Sequence, residues 1–274
     1  MSPIQRALDY LSNEGRPIDL AWAREQCADG TQRDVLDALA AYQNPDGGFG
    51  QRLEVDISAP ASNAFATRLA MIVLNSVGAP SESDLVQRLE HWLEESQAED
   101  GDWPFSPAIY DAELAPWFAA WTFPSLNPAL CLAGHAARLG IGSERLHARV
   151  RTLADEKSSL AEIAEGRFYD LLPYVEYYPW GEHPRRDEYL DALALSIVAA
   201  AERGDYEDAS HFFDHVSGGG PLIESRLPAA LISAQLERLR GEQNDDGGWP
   251  TPYDQAWRSW TTAAAVITLH KYSD

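Results

Sequence analysis

Apolar positions along the chain fall into two kinds of helical pattern. "RDVLDALAAYQ", "DLVQRLEHWLEESQ" and "AALISAQLERLRGEQ" carry apolar residues at three- and four-residue spacing, with charges on the opposite face. "NAFATRLAMIVL", "SWTTAAAVITLH" and "LDALALSIVAAA" are small and apolar on nearly every side. A helix that is apolar all round is a buried one. About twelve such patterns follow one another, and no segment alternates as a β-strand does. The pattern predicts amphipathic outer helices alternating with buried inner ones.

What separates the helices also repeats. "QNPDGGF" begins at Gln43, "QAEDGDW" at Gln97 and "QNDDGGW" at Gln243. Each sets Gly four residues and an aromatic six residues after the Gln, with Asp just before the Gly. The copies fit a period of roughly 50 residues, so about six helical hairpins fill the chain. The middle copies are not legible. Asp-Gly ends a helix because Gly accepts positive φ without steric cost. The Gln amide is expected to donate to the carbonyls left free at the helix end and to accept from an N–H of the next turn. The aromatic is expected to pack over it, which makes these residues scaffold.

The three segments resemble the QW-type repeats of the squalene-hopene cyclase, terpene cyclase and protein prenyltransferase β-subunit superfamily. "GEQNDDGGWPTPYDQAWRSWTTAAAVITL" is the best copy. The resemblance implies an all-α fold, an (α/α)6 barrel formed as one domain over 1–274. It implies an apolar, isoprenoid-type small molecule in the barrel. The family's acid motif, D-x-D-D before an inner helix, is absent: "NAFAT" and "RSWTT" stand where the acids would be. The prenyltransferase zinc pattern is not matched either.

Glu54 and Asp56 in "LEVD" are the nearest substitutes for the acid. Two carboxyl groups that close can share a proton, one pKa being raised by burial and by its neighbour. They can equally be exposed loop charges or meet neighbouring Arg side chains. Aromatic faces stabilise cations. Trp117, Trp121, Tyr177, Trp180 and Trp257 come from three aromatic-rich loops and are the expected walls of the site. His183, with Arg185 and Arg186, can meet an anionic headgroup or simply lie exposed to solvent. The same loops can instead plug the barrel with their aromatics.

His211 and His215 share one helix face with Asp214 between them, a two-ligand spacing with no third ligand in view. Cys131 and His135 repeat that spacing. No metal and no cofactor are expected. "DEYLD", Asp187 to Asp191, opens a helix, where acids suit the dipole. "GGGP", 218–221, reads as a flexible loop.

Bulk composition narrows the partners. The 274 residues are 45% hydrophobic and carry a formal net charge of -22. That field repels phosphate backbones and anionic lipid surfaces, so nucleic acid is not expected. Cys27 and Cys131 do not make a disulfide framework and read as buried thiols. No stretch is long enough to span a bilayer, and "MSPIQRALDYL" has no apolar signal region. A soluble cytoplasmic protein is expected. It is either a cyclase- or isomerase-like enzyme, or a ligand- or protein-binding barrel that has lost the family's acid and zinc site.

Overall fold

The computed structural model describes residues 1–273. Its helices, in chain order, are α1 (Pro3–Glu14), α2 (Pro17–Cys27), α3 (Gln32–Ala40), α4 (Ala64–Ser76), α5 (Asp84–Ser96), α6 (Pro116–Ala119), α7 (Leu126–Leu139), α8 (Glu144–Lys157), α9 (Leu160–Glu165), α10 (Phe168–Tyr177), α11 (Arg186–Arg203), α12 (Ala209–Glu224), α13 (Ala229–Gly241) and α14 (Arg258–Lys271). Among the described residues there are no strands, only isolated bridges at Gln43–Phe49 and Ile57–Leu114.

Six helices form the inner ring. α4, α7, α10, α12, α14 and α2 pack side by side in that order. Trp22 Nε1 of α2 donates to Ser76 Oγ of α4 at 2.7 Å and closes the circle. α1, α3, α5, α8, α11 and α13 lie outside, each joined in hairpin fashion to the inner helix that follows. This is the expected (α/α)6 barrel. α4 buries ten of its thirteen residues, whereas α5 buries only Leu85, Val86, Leu89, Trp92 and Leu93, one stripe. Polar side chains start the helices. Thr31 and Asp34 form a reciprocal cap on α3, and Asn63 Oδ1 accepts from Ala66 N at 2.9 Å on α4.

Two patterns differ from the reading of the sequence. "LDALALSIVAAA" belongs to α11, an outer helix, and Leu195 within it is 73% exposed. Its apolar look comes mainly from alanine, which favours a helix but gains little by burial. "GGGP" is not a loop. Gly218, Gly219 and Gly220 lie inside α12, which kinks at Gly220 (φ 56°, ψ −153°). A Cβ at Gly220 would stand 2.7 Å from the Trp180 ring, and Trp180 Nε1 donates to Gly218 O at 2.8 Å. The run of glycines makes room for an indole.

The Gln motifs are the joints of the ring. Gln43 Nε2 donates to Gly47 O and to Leu85 O, both at 2.9 Å. Gln97 Nε2 reaches Gly101 O and Leu146 O, and Gln243 Nε2 reaches Gly247 O and Pro3 O. Each amide therefore ties its own turn to the first turn of the next outer helix: α5, α8 and α1. Donation runs forward along the ring rather than back to the helix just ended. The acceptor side differs as well. Gln243 Oε1 takes Arg6 Nη2 at 2.5 Å, while Gln97 Oε1 is buried without a partner among the described residues. The Gly must be Gly: at Gly47 φ is 96°, and a Cβ would sit 2.0 Å from Arg88 O. The aromatic ends the joint, with Trp103 Nε1 donating to Leu93 O at 2.9 Å and Trp249 Nε1 to Leu239 O at 2.8 Å.

The first, fourth and fifth hairpins have no Gln joint. The turn between α8 and α10 is filled by the short α9, and Gly204 in the left-handed region ends α11. Among the described residues no helix is long and apolar enough to cross a membrane.

Candidate functional site

One stripe of each inner helix faces the lumen. On α12 the residues Asp214, Ser217 and Pro221 are accessible at three- and four-residue spacing, while His211, Phe212, Phe213, His215 and Val216 are buried. α10 and α14 flank α12 and the outer α11 and α13 back it, so the accessible stripe looks inward. On α10 Tyr169, in the first turn, is exposed, Leu171 to Tyr177 including Glu176 are buried, and Trp180 follows just past the helix end.

A charged group crosses the lumen at mid-depth. Arg68 of α4 forks onto Glu176 of α10, with Nε donating to Oε2 at 2.8 Å and Nη2 donating to Oε1. His135 Nε2 lies 3.1 Å from Glu176 Oε2, while Asn75 Nδ2 lies 3.3 Å from His135 Nδ1. Asn75 therefore donates to Nδ1, and Nε2–H donates to the carboxylate. Burial opposes the charge on Glu176, but Arg68 and His135 outweigh it and hold the carboxyl well below the usual range. Burial equally opposes the Arg68 cation, and Glu176 outweighs it.

Above this pair lie carboxyl groups of another kind. Glu54 is only 7% exposed. Burial pushes its pKa up to about 8; Asp56 N donates to Oε1 at 3.2 Å and works against the shift, while the charge of Asp56 adds to it. At neutral pH Glu54 keeps its proton. Asp56 is half-buried, and burial raises it too, against the Trp257 Nε1 hydrogen bond to Oδ2 at 3.0 Å. Asp214 lies deeper. It makes no hydrogen bond among the described residues, and desolvation pushes it up to about 6 against the opposing charges of His211 and Arg68. An accessible yet desolvated carboxyl is what an open lumen walled by protein produces.

The loop carrying Glu54 is stitched to the aromatic loop after the second Gln joint. Ser58 N donates to Glu113 O at 3.2 Å, and Ala115 N donates to Asp56 O at 3.1 Å. Ile57, Phe65, Phe105, Ile109 and Phe118 form a small core there, separate from the main one, with Trp121 against it. This plug covers the mouth of the barrel beside the N-terminus of α4.

The expected wall residues separate into three groups. Trp257 stands at the mouth beside Asp56. Trp121 packs in the plug, 4.9 Å from Phe65, and Trp117 on α6 is 53% exposed. Trp180 lies at the opposite end of the lumen with the Arg138 guanidinium 4.6 Å above its ring. Tyr177 and His183 stand in the wall instead. Tyr177 is buried edge-to-face on Tyr178, and His183 Nε2 lies 3.0 Å from Asp155 of α8.

His211 and His215 are occupied by protein partners. His211 Nδ1 lies 2.8 Å from Asp208 Oδ1 and Nε2 lies 2.6 Å from Tyr253 Oη. His215 bonds Tyr206 Oη at 2.8 Å and Phe168 O at 3.0 Å, and burial lowers its pKa to about 4. Among the described residues no three His, Cys, Asp or Glu side chains gather as a metal site. In the sequence Asp214 reads only as a spacer between the two histidines. Its i, i+3, i+7 relation to Ser217 and Pro221 was the available signal. Nothing local announces the Arg68–Glu176 pair.

No family model and no curated protein matches the chain. Its likeness is to solved structures, and it defines the class of fold: an all-α barrel of the terpene-cyclase type. A protein from Actinoplanes of known crystal structure superposes with a TM-score of 0.60 at 14% identity, over 99% of each chain. A variant of the type II terpene cyclase MstE from Scytonema, solved with its substrate geranylgeranyl dihydroxybenzoate, superposes with a TM-score of 0.58 at 12% identity. That match covers 98% of this chain and 96% of the other.

Proposed function

We propose that the lumen binds an apolar, isoprenoid-type small molecule and that Glu54 protonates it, starting a cyclisation or isomerisation. The observation that carries this reading is a buried carboxyl group whose pKa is pushed up to about 8, in the loop whose Asp56 accepts from Trp257 Nε1 at the mouth of the barrel. In the step itself the Glu54 O–H bond breaks and its proton forms a C–H bond with an alkene carbon. The cation left on the neighbouring carbon meets the faces of Trp257 and Trp121. Asp56 follows Glu54 by two residues, and its negative charge helps keep the proton on Glu54 before the reaction. The binding of an isoprenoid by MstE supports the substrate class.

Incubation with prenyl diphosphates, squalene and aromatic-headed prenyl compounds, read by mass spectrometry, tests this. Glu54→Gln is expected to lower turnover by about 10²–10⁴-fold, the usual worth of a general acid, while ligand binding persists. Full turnover by that variant would remove Glu54 from the role. The missing D-x-D-D motif favours a second reading, a barrel that binds without reaction. A ligand that shifts the melting temperature yet yields no product would support it.

A further inference from the structure

Four side chains from three elements form an unbroken hydrogen-bonded chain at the mouth of the lumen. Asp208, the N-cap of α12, accepts from His211 N at 2.9 Å and holds the ring through Nδ1 at 2.8 Å. His211 Nε2 meets Tyr253 Oη, from the loop before α14, at 2.6 Å. Tyr253 Oη in turn accepts from Tyr169 Oη, in the first turn of α10. The Phe168 ring stands edge-to-face on His211 at 4.4 Å and fixes its plane.

The direction of the chain follows from its fixed end. Burial opposes the charge on Asp208, but the hydrogen bond and charge of His211 outweigh it, so Asp208 stays an acceptor. Nδ1 of His211 therefore carries hydrogen. In the neutral ring Nε2 must accept, so Tyr253 donates to it and Tyr169 donates to Tyr253. The Tyr169 oxygen is left with lone pairs and no donor among the described residues. That residue is 56% exposed, and the charges of Asp56 and Asp214 both act on its phenol. Glu207 acts on the same phenol, and the open end of the chain lies in the first turn of α10, the inner helix packed against α12.

We propose that Asp208–His211–Tyr253–Tyr169 is a proton relay that opens into the lumen at Tyr169 and removes the proton that ends the reaction. Its second clause rests on the cyclase reading above. A C–H bond of the cyclised cation breaks, its electron pair becomes the new C=C bond, and the proton goes to the Tyr169 oxygen. The Tyr169 proton moves to Tyr253, and the Tyr253 proton moves to His211 Nε2. The result is an imidazolium facing Asp208, which later returns the proton to solvent. The charges that meet His211 favour that product. Burial opposes the imidazolium, while Asp208, Asp214 and Glu207 outweigh it and raise the His211 pKa. Tyr169 would touch the ligand; Tyr253, His211 and Asp208 are positioning residues.

Two measurements on the full chain test the relay. The first follows the His211 imidazole by NMR through a pH titration. Tyr169→Phe is expected to shift its midpoint by at least a few tenths of a pH unit, although Tyr169 makes no hydrogen bond to the ring. An unmoved midpoint would overturn the relay. The second is the product profile. Among the products that Tyr169→Phe and His211→Asn form, the ratio of water-captured alcohol to alkene is expected to rise about tenfold over that of the unaltered chain. An unchanged ratio in a chain that consumes substrate would overturn the role in ending the reaction. A wild-type chain that consumes none of the substrates sinks the cyclase reading and the terminal step together, and the titration then decides the relay alone.

Discussion

Replacing Glu54 by Gln is expected to stabilise the fold in a way that depends on pH. Glu54 titrates near its ordinary 4.5 in the unfolded chain and near about 8 in the folded one. Between those values the folded state holds a proton that the unfolded state has lost. The unfolded state therefore gains about 1.4 kcal/mol for every pH unit of rise. Below the lower value both states are protonated and Glu54 contributes nothing; above the higher value both are ionised and the cost is constant. At pH 7 the accumulated cost is about 3 kcal/mol, a large share of the stability of a typical domain. The E54Q chain lacks this titration. Burying an amide changes its stability by a fixed amount, so the slope rather than the offset carries the test. Urea unfolding of both chains at pH 5, 6, 7 and 8 is the assay. The difference in their unfolding free energies should grow by about 1.4 kcal/mol per unit from pH 5 to 7, more slowly from pH 7 to 8, and level only above the folded pKa. A difference that stays flat from pH 5 to 7 would refute a buried, protonated Glu54, and with it the acid proposed for the reaction.

Three further outcomes follow from the geometry. Glu176→Gln leaves Arg68 without its counter-charge and is expected to cost about 3–5 kcal/mol in chemical denaturation, whereas the pair Arg68→Met with Glu176→Leu should recover most of it. Gly247→Ala sets a Cβ 2.2 Å from Arg6 O at a φ of 93° and should lower the melting temperature by several degrees. Gly241→Ala, whose Cβ would meet nothing within 4 Å, serves as the control. Asp214→Asn removes a negative charge that raises the His211 pKa, so the imidazole should titrate lower by NMR.

Local repetition made the ring legible in advance, because each Gln joint is written in seven consecutive residues and closes through its own turn. The position of Glu54 and Asp56 could be read for the same reason: they follow the first joint directly. The rest required the closed ring. Arg68 and Glu176 meet across 108 residues of sequence, and no periodicity announces that pairing. Helical periodicity shows that α12 has two faces but not that the accessible one looks into a lumen, so Asp214 was passed over. Alanine made α11 read as an inner helix although it lies outside. Tyr177 and Trp180 are three residues apart on one aromatic run. Only the backbone's exit from α10 sends one into the wall and the other toward Gly218 and Gly220.

The third joint has a role in time as well as in space. Gln243 bonds the carbonyl of residue 3, a separation of 240 residues in the chain. Closing so long a loop carries a high entropic cost, and it cannot form until the last hairpin has been synthesised. Until then the preceding hairpins form an arc with two raw flanks, α1 and α2 at one and α12 at the other. Such flanks suit the terminal hairpin of a neighbouring chain as well as their own. The Gln243–Pro3 clasp, with the Arg16 N–Ser259 Oγ bond and the packing of α14 on α1 and α2, is therefore a seam that only the completed chain can close.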